Sequence, residues 1–200
     1  MSLSDDTGPG EGLPHGGDSA SQATAVPLRP EDLLEFRLGR LLILLEVTPA
    51  VPSPKILHLE RIGYYDFFAD NPFLIFGEGT EQRRRLILAG FSARTLSYHS
   101  AAQRFANRRA RLQHDLALLV SRGLLGVATE GRHVAFALNQ AGADAAGSLR
   151  TFYSSAYRAS ADLVVRELNR LSDKRLGERA REWLAGDEFL VDLYDAGDLA

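Results

Sequence analysis

Residues 107–138 read NRRARLQHDLALLVSRGLLGVATEGRHVAFAL and predict a helix followed by a β-hairpin. Asn107 is a suitable cap for the start of the helix, and Gly123 is a suitable residue to follow its end. The residues that repeat at helical spacing, and that are expected to face the core, are Leu112, Leu116, Leu119 and Val120. The stretch therefore predicts an amphipathic helix that packs against the rest of a domain.

The segments on either side of this helix extend the pattern to a winged helix. Residues 124–129 and 132–138 are short β-rich runs separated by a Glu-Gly turn, as in a hairpin. Upstream, a helix over residues 81–89 and a short helix from Ala93 would complete a helix-turn-helix. We predict a mainly α fold with a small β-hairpin: a winged helix-turn-helix core with helical N- and C-terminal extensions.

The composition divides the chain into five segments. Residues 1–29 are rich in Gly, Ser, Pro and Asp and are expected to form a disordered leader. Residues 30–80 are predicted to form an N-terminal helical and aromatic interaction region, and residues 81–148 the winged-helix domain. Residues 149–186 are a C-terminal helical extension, and residues 187–200 an acidic tail.

Hydrophobic spacing predicts the helices outside the central motif. A leucine-rich helix is expected over residues 30–48, and a second over residues 55–69, where proline follows shortly. After a short helical segment from Asn139, a long helix is expected over residues 149–171 and a last one over residues 173–185.

The bulk composition indicates a cytoplasmic protein with a core of its own. The 200 residues are 45% hydrophobic and include no cysteine, which excludes disulfides, thiolate metal sites and cysteine nucleophiles. The longest apolar run, within residues 38–47, is far shorter than the roughly 20 residues that span a bilayer. We therefore expect neither a membrane span nor export.

The sequence offers no constellation that points to catalysis. Its five histidines are not spaced as metal ligands, and no phosphate-cradling Gly-x4-Gly-Lys-Ser/Thr loop is present. Serines lie near His99, but no nucleophile elbow surrounds them. We expect a non-enzymatic protein with no catalytic residue, no metal and no cofactor.

The charge distribution predicts two surfaces with different electrostatic partners. Residues 83–122 hold nine arginines and one acidic residue, whereas residues 182–200 hold six acidic residues and no base. Arginines on the expected recognition helix and wing are suited to phosphate contact, although solvated arginines or arginines paired with acidic segments would give the same pattern. The candidate DNA contacts are Arg83, Arg84, Arg85, Arg104, Arg108, Arg109, Arg111 and Arg132.

Aromatic residues concentrate in residues 64–76, and apolar residues recur in the acidic tail. Such a density of rings is typical of a packed core or helix interface, and it also occurs at binding hot spots. The candidate partner-contacting residues are Tyr64, Tyr65, Phe68, Phe73, Phe76, Phe189, Leu193 and Tyr194.

Four segments stand in a particular order along the chain: RIGYYDFFADNPFL at residues 61–74, RARL at 109–112, LLVSRGLL at 118–125 and YRAS at 157–160. Their order resembles the middle components of bacterial ABC-three component systems. The small subunit of Lamassu-type anti-phage systems is similar. The resemblance, over about residues 30–185, implies an accessory subunit beside an SMC- or Rad50-like ATPase and a nuclease-like effector, which would perform the ATP hydrolysis and the cutting.

Two functions of different classes follow. The first is an adaptor that bridges or restrains the ATPase and the effector and contacts double-stranded DNA, if at all, through the backbone. The second is a dimeric transcription regulator, joined through the helix from Phe152 to Leu171, that reads an operator with Arg108 and Arg111. The expected recognition helix offers few exposed Asn or Gln side chains besides Gln113, which favours the adaptor, because base readout usually needs such groups.

Overall fold

A computed structural model of the chain describes residues 32–50, 57–92, 100–131 and 133–185. The predicted leader, the short helix predicted from Ala93 and the acidic tail lie outside these residues. The described part contains seven α-helices, one antiparallel hairpin and two short 3₁₀ turns. The prediction of a mainly α protein with a small hairpin is confirmed. The finer prediction of a winged helix-turn-helix stays a prediction, since its middle helix falls in residues 93–99.

The elements follow one another in a single series along the chain. They are α1 (Leu34–Val47), α2 (Leu59–Asp70), α3 (Glu81–Leu88), α4 (Ala101–Ser121), β1 (Leu125–Glu130), β2 (His133–Leu138), α5 (Gln140–Ser148), α6 (Phe152–Leu168) and α7 (Asp173–Ala185). The short 3₁₀ turns are Thr48–Ala50 after α1 and Pro72–Leu74 after α2.

Capping side chains set several helix starts and correct the predicted boundaries. His58 caps α2 by accepting from the backbone N–H of Arg61, so this helix begins at residue 59 rather than 55. Ser100 caps α4, which starts seven residues before the predicted position. Asn107, expected as that cap, lies inside the helix and accepts from the side chain of Gln103.

The long apolar stripe of α6 is buried within the chain. This helix packs mainly against α1 and α2. The residues of α6 with no exposed surface include Tyr157, Ala161, Val164, Val165 and Leu168. The helix also spans residues 152–168 rather than 149–171. The stripe that would have joined two regulator subunits is therefore part of the core of one chain.

The hairpin is attached to the helical body through its second strand. Its register pairs Leu125 with Leu138 and Thr129 with Val134. The N–H of Phe136 donates to the carbonyl of Leu57 at 3.0 Å, and His58 forms an isolated bridge with Ala135. Residues 57–58 thus continue the sheet beside β2.

Glycine allows α5 to pack closely against the start of the hairpin. A Cβ atom at Gly142 would lie 2.1 Å from the carbonyl oxygen of Leu124 and 2.9 Å from Leu138 Cδ2. The Asn139 side chain caps α5 and also donates to the carbonyl of Gly123. Only a residue without a side chain fits between these groups.

Within the described part of the chain, no helix combines the length and the apolar character that a bilayer crossing requires.

Candidate functional site

Asp66 and Asp70, one turn apart on α2, receive arginines from two other helices. Asp66 is buried, and its Oδ1 lies 3.1 Å from Nε of Arg40 on α1. Arg108 on α4 places Nε 3.5 Å from Asp66 Oδ2 and Nη2 2.7 Å from Asp70 Oδ2. The hydroxyl of Tyr157 on α6 donates to Asp66 at 3.2 Å. We call Arg40, Asp66, Asp70, Arg108 and Tyr157 the Asp66 network; it joins four helices.

Burial and neighbouring charges shift the pKa values of three groups in this network, Asp70, Arg40 and Tyr157. Burial alone would raise the pKa of Asp70, but the nearby charges of Arg108 and Arg40 outweigh it and lower this pKa below its usual value. Burial opposes the charge on Arg40, yet the carboxylates of Asp66 and Asp70 raise the pKa of its guanidinium. Burial also raises the pKa of Tyr157 well above its usual value. These shifts favour a carboxylate at Asp70, a guanidinium at Arg40 and a neutral phenol at Tyr157.

A second cluster centres on Arg61, which is buried near the start of α2. Its guanidinium binds Asp173 at the start of α7, and it donates to the hydroxyl of Tyr65 at 2.9 Å and the carbonyl of Leu171 at 3.1 Å. His58 Nε2 lies 3.3 Å from Asp173 Oδ1. Burial would raise the pKa of Asp173, but the hydrogen bond and charge of Arg61 lower it. This cluster fixes the beginning of α7 against α2.

The arginines predicted to contact DNA are engaged within the chain wherever they are described. Arg108 belongs to the Asp66 network, and Arg104 donates to the side chain of Asn71. Arg83 lies 4.6 Å above the Phe73 ring. The remaining pairs are Arg84 and Arg85 with Glu81, Arg109 with Glu60, and Arg111 with Asp32. Arg132 lies outside the described residues.

The arginines of the predicted basic surface differ in how far their side chains are exposed. The side chains of Arg83 and Arg108 are only 18% and 16% exposed, so they act mainly inside the protein. Those of Arg109 and Arg111 on α4 are 47% and 42% exposed and reach solvent. Arg84 and Arg85 on α3 are also solvent-exposed. Among the described candidate DNA contacts, the exposed side chains are therefore those of Arg84 and Arg85 on α3 and of Arg109 and Arg111 on α4.

The aromatic segment lies mostly in the core. Tyr65, Phe68 and Phe76 are buried, so for these three the packed-core interpretation describes the isolated chain. Phe68 meets the ring of Trp183 edge-on at 5.3 Å. Tyr64 and Phe73 are half-buried and keep some accessible surface. The tail residues Phe189, Leu193 and Tyr194 lie outside the described residues.

Sequence reasoning missed the acidic half of the site. It read the YYDFFAD segment for its rings, whereas the two aspartates in it bind the arginines. The signal was present: carboxylates four residues apart in an aromatic helix need a buried cation. Arg40, set among the leucines of α1, was the matching signal.

Among residues 32–50, 57–92, 100–131 and 133–185, no group of three or more His, Asp or Glu side chains is arranged to hold a metal ion. The aspartates that cluster instead accept hydrogen bonds from arginine. The site's visible chemistry is the joining of helices by charge-assisted hydrogen bonds.

The fold and site together define a mainly helical protein whose helices are tied by internal arginine–aspartate pairs and which carries one hairpin. Residues 95–185 match the family model described as ABC-three component (ABC-3C) system Middle Component 2. The match runs through α4, the hairpin and α5 to α7, and it supports an accessory subunit of a system that contains an ABC ATPase. No curated protein and no solved structure matched the chain.

The match agrees with the resemblance found in the sequence, but over a shorter range. The segment at residues 61–74, which carries Asp66 and Asp70, lies before the matched residues. Their partners Arg108 and Tyr157 lie inside them. The Asp66 network therefore links the matched part of the chain to the N-terminal helices.

Proposed function

We propose that the protein is a non-enzymatic adaptor of an ABC-three component system. It bridges or restrains an SMC- or Rad50-like ATPase subunit and a nuclease-like effector, in an anti-phage defence complex related to Lamassu. The observation that carries the proposal is the match of residues 95–185 to the middle-component family.

The internal ion pairs support an adaptor because they stiffen the body. The Asp66 network joins α1, α2, α4 and α6, and Arg37 on α1 binds Asp115 on α4 at 2.7 Å. Arg158 on α6 adds a contact with Glu46 on α1 at 2.8 Å. A protein that holds two subunits at a fixed separation benefits from such rigidity, since less freedom is lost on binding.

The exposed apolar residues of the hairpin are candidate partner contacts in addition to the tail. Val127 pairs with Phe136, and Val134 pairs with Thr129, so all four side chains lie on one face of the hairpin. Val127 and Val134 are half exposed, at 50% and 49%. This face, together with Tyr64, Phe73 and the tail residues, is the surface through which we propose that the adaptor binds.

Co-purification tests the adaptor. The full chain, co-expressed with the ATPase and effector encoded beside it, is expected to elute with both subunits in size-exclusion chromatography. Changing Val127 and Val134 to serine should weaken the complex, whereas the matched change of Ala117 to serine, on the exposed side of α4, should not. A chain that elutes alone in the presence of both neighbours would refute the adaptor.

Backbone contact with DNA is a second property that we propose for the adaptor, through Arg109 and Arg111. Replacing both by glutamate is expected to weaken binding to double-stranded DNA and to lower the slope of log K against log salt by about 2, one per phosphate contact. Fluorescence anisotropy at several salt concentrations measures both quantities.

Charge reversal on another surface provides the control. Changing Arg170 and Arg175 to glutamate alters the net charge equally. These residues lie just after α6 and on α7, so the change should leave the slope unchanged. Arg108→Glu is unsuitable because it would disturb Asp66. If the Arg109 and Arg111 double variant binds like the unchanged protein, these residues do not contact DNA. Binding to one specific sequence would instead favour the regulator.

A further inference from the structure

An exposed apolar patch lies where the end of α3 meets the start of α6. On α3, Leu86 is fully buried, whereas Ile87 and Leu88 are 52% and 82% exposed. Phe152, the first residue of α6, is 79% exposed. Tyr153 is 38% exposed beside it. We call Ile87, Leu88, Phe152 and Tyr153 the α3–α6 patch.

Gly90 brings the two parts of the patch together. It follows α3 with a positive φ of 101°, which glycine adopts without strain. A Cβ atom at this position would lie 3.0 Å from two ring atoms of Phe152. The ring of Phe152 therefore lies directly against the turn that ends α3, two residues after Leu88. Large exposed apolar groups gathered in this way are typical of a binding surface.

The patch has basic surroundings. Residues 82–92 and 149–153, which contain it, include four arginines and no acidic residue. The side chains of Arg84 and Arg85 are more than 60% exposed, and both pair with the carboxylate of Glu81. The local charge is therefore positive, and an acidic apolar ligand would complement the surface.

The C-terminal segment, residues 186–200, has the matching composition. It contains five acidic residues and no base. Its apolar side chains are concentrated in FLVDLY at residues 189–194. This combination of acidic and apolar side chains suits a surface on which apolar groups are bordered by arginines.

Aromatic contacts connect the end of α7 with the start of α3 through the end of α2 and the turn that follows it. The ring of Trp183, two residues before the end of α7, meets Phe68 in the last turn of α2. Phe73, five residues after Phe68, lies under Arg83 in the first turn of α3. Phe189 and Tyr194 follow Ala185, the last residue of α7, by four and nine residues, so an extended chain places them at most about 14 and 32 Å from it. The α3 helix, with its eight residues, is only about 12 Å long. The reach of Leu193 and Tyr194 therefore exceeds the length of α3.

We propose that residues 187–195 of the C-terminal segment bind the α3–α6 patch of the same chain, with Phe189, Leu193 and Tyr194 on its apolar residues and the carboxylates beside Arg84 and Arg85. The segment then covers the apolar side chains of the patch. This inference does not rest on the adaptor function.

Disulfide trapping in the full chain tests the proposal, because the protein has no cysteine of its own. Leu88→Cys is combined with Val191→Cys, and the rate of the intramolecular disulfide is measured by non-reducing electrophoresis and mass spectrometry. The control combines Val191→Cys with Ala128→Cys, an exposed position in β1. We expect the Leu88 pair to form about tenfold faster, since binding raises the effective concentration of the two thiols.

Two further measurements separate binding from chance encounter. Adding Phe189→Ser and Tyr194→Ser to the Leu88 pair should reduce its rate to that of the control, and high salt should slow it. Equal rates for the Leu88 and Ala128 pairs would overturn the proposal. So would a disulfide that forms only between molecules, because the patch would then bind the segment of a second copy.

Discussion

Replacing Asp66 by alanine is expected to lower the free energy of unfolding by about 3–5 kcal/mol, the usual cost of removing one partner from a buried ion pair. The change leaves Arg40 buried with only the more distant Asp70 as a counter-ion, and it removes the acceptor of the Tyr157 hydroxyl. Urea denaturation followed by the fluorescence of Trp183 measures the loss.

The control for this variant is an ion pair of similar geometry on the surface. Asp162 binds Arg166 at 2.8 Å one turn along α6, but both side chains are more than a third exposed. Asp162→Ala is expected to cost less than about 1 kcal/mol. If the two alanine variants unfold at the same urea concentration, the Asp66 network does not tie the helices together.

Replacing Gly142 by alanine is expected to destabilise the protein by about 3 kcal/mol, because overpacking forces the backbone to shift. In most helices the same change is favourable, since glycine costs about 0.5–1 kcal/mol relative to alanine. Here the new methyl group would meet the carbonyl of Leu124, so α5 and the hairpin could not keep their separation. Thermal unfolding followed by circular dichroism measures the change in stability.

Gly147, in the last turn of the same helix, provides the matched control. A Cβ atom there would lie 4.0 Å from the nearest atom outside the helix, Glu46 Oε1. Gly147→Ala should therefore raise the stability by about 0.5 kcal/mol. Opposite signs for the two variants are the expected result, and a stabilising Gly142→Ala would show that α5 does not pack on Leu124 as described.

The sequence predicted most helices because their apolar spacing and caps are local signals. The last helix was predicted at its observed limits, residues 173–185, and the core face of α4 was predicted through Leu112, Leu116 and Leu119. The predicted start of α4 was wrong because two possible capping residues, Ser100 and Asn107, lie about two helical turns apart. Local pattern alone does not decide between them.

The candidate site was less predictable because its partners are far apart in the chain. Arg108 is on the exposed side of α4 if that helix is considered alone, yet α2 covers this side and supplies Asp66 and Asp70. Likewise, Asp115 on α4 is buried and binds Arg37 from α1. Ion pairs between residues about 40 to 80 positions apart depend on how the helices pack against one another. The hydrophobic periodicity of a single helix does not indicate this packing.

The junction between the hairpin and α2 couples two distant parts of the molecule. Residues 57–58 pair with β2, and the same His58 caps α2 and lies beside Asp173, where α7 begins. A ligand that displaces the hairpin would therefore strain the first turns of α2 and α7 together. Through His58, a displacement of the hairpin would thus be transmitted to Asp173 and to the first turn of α7.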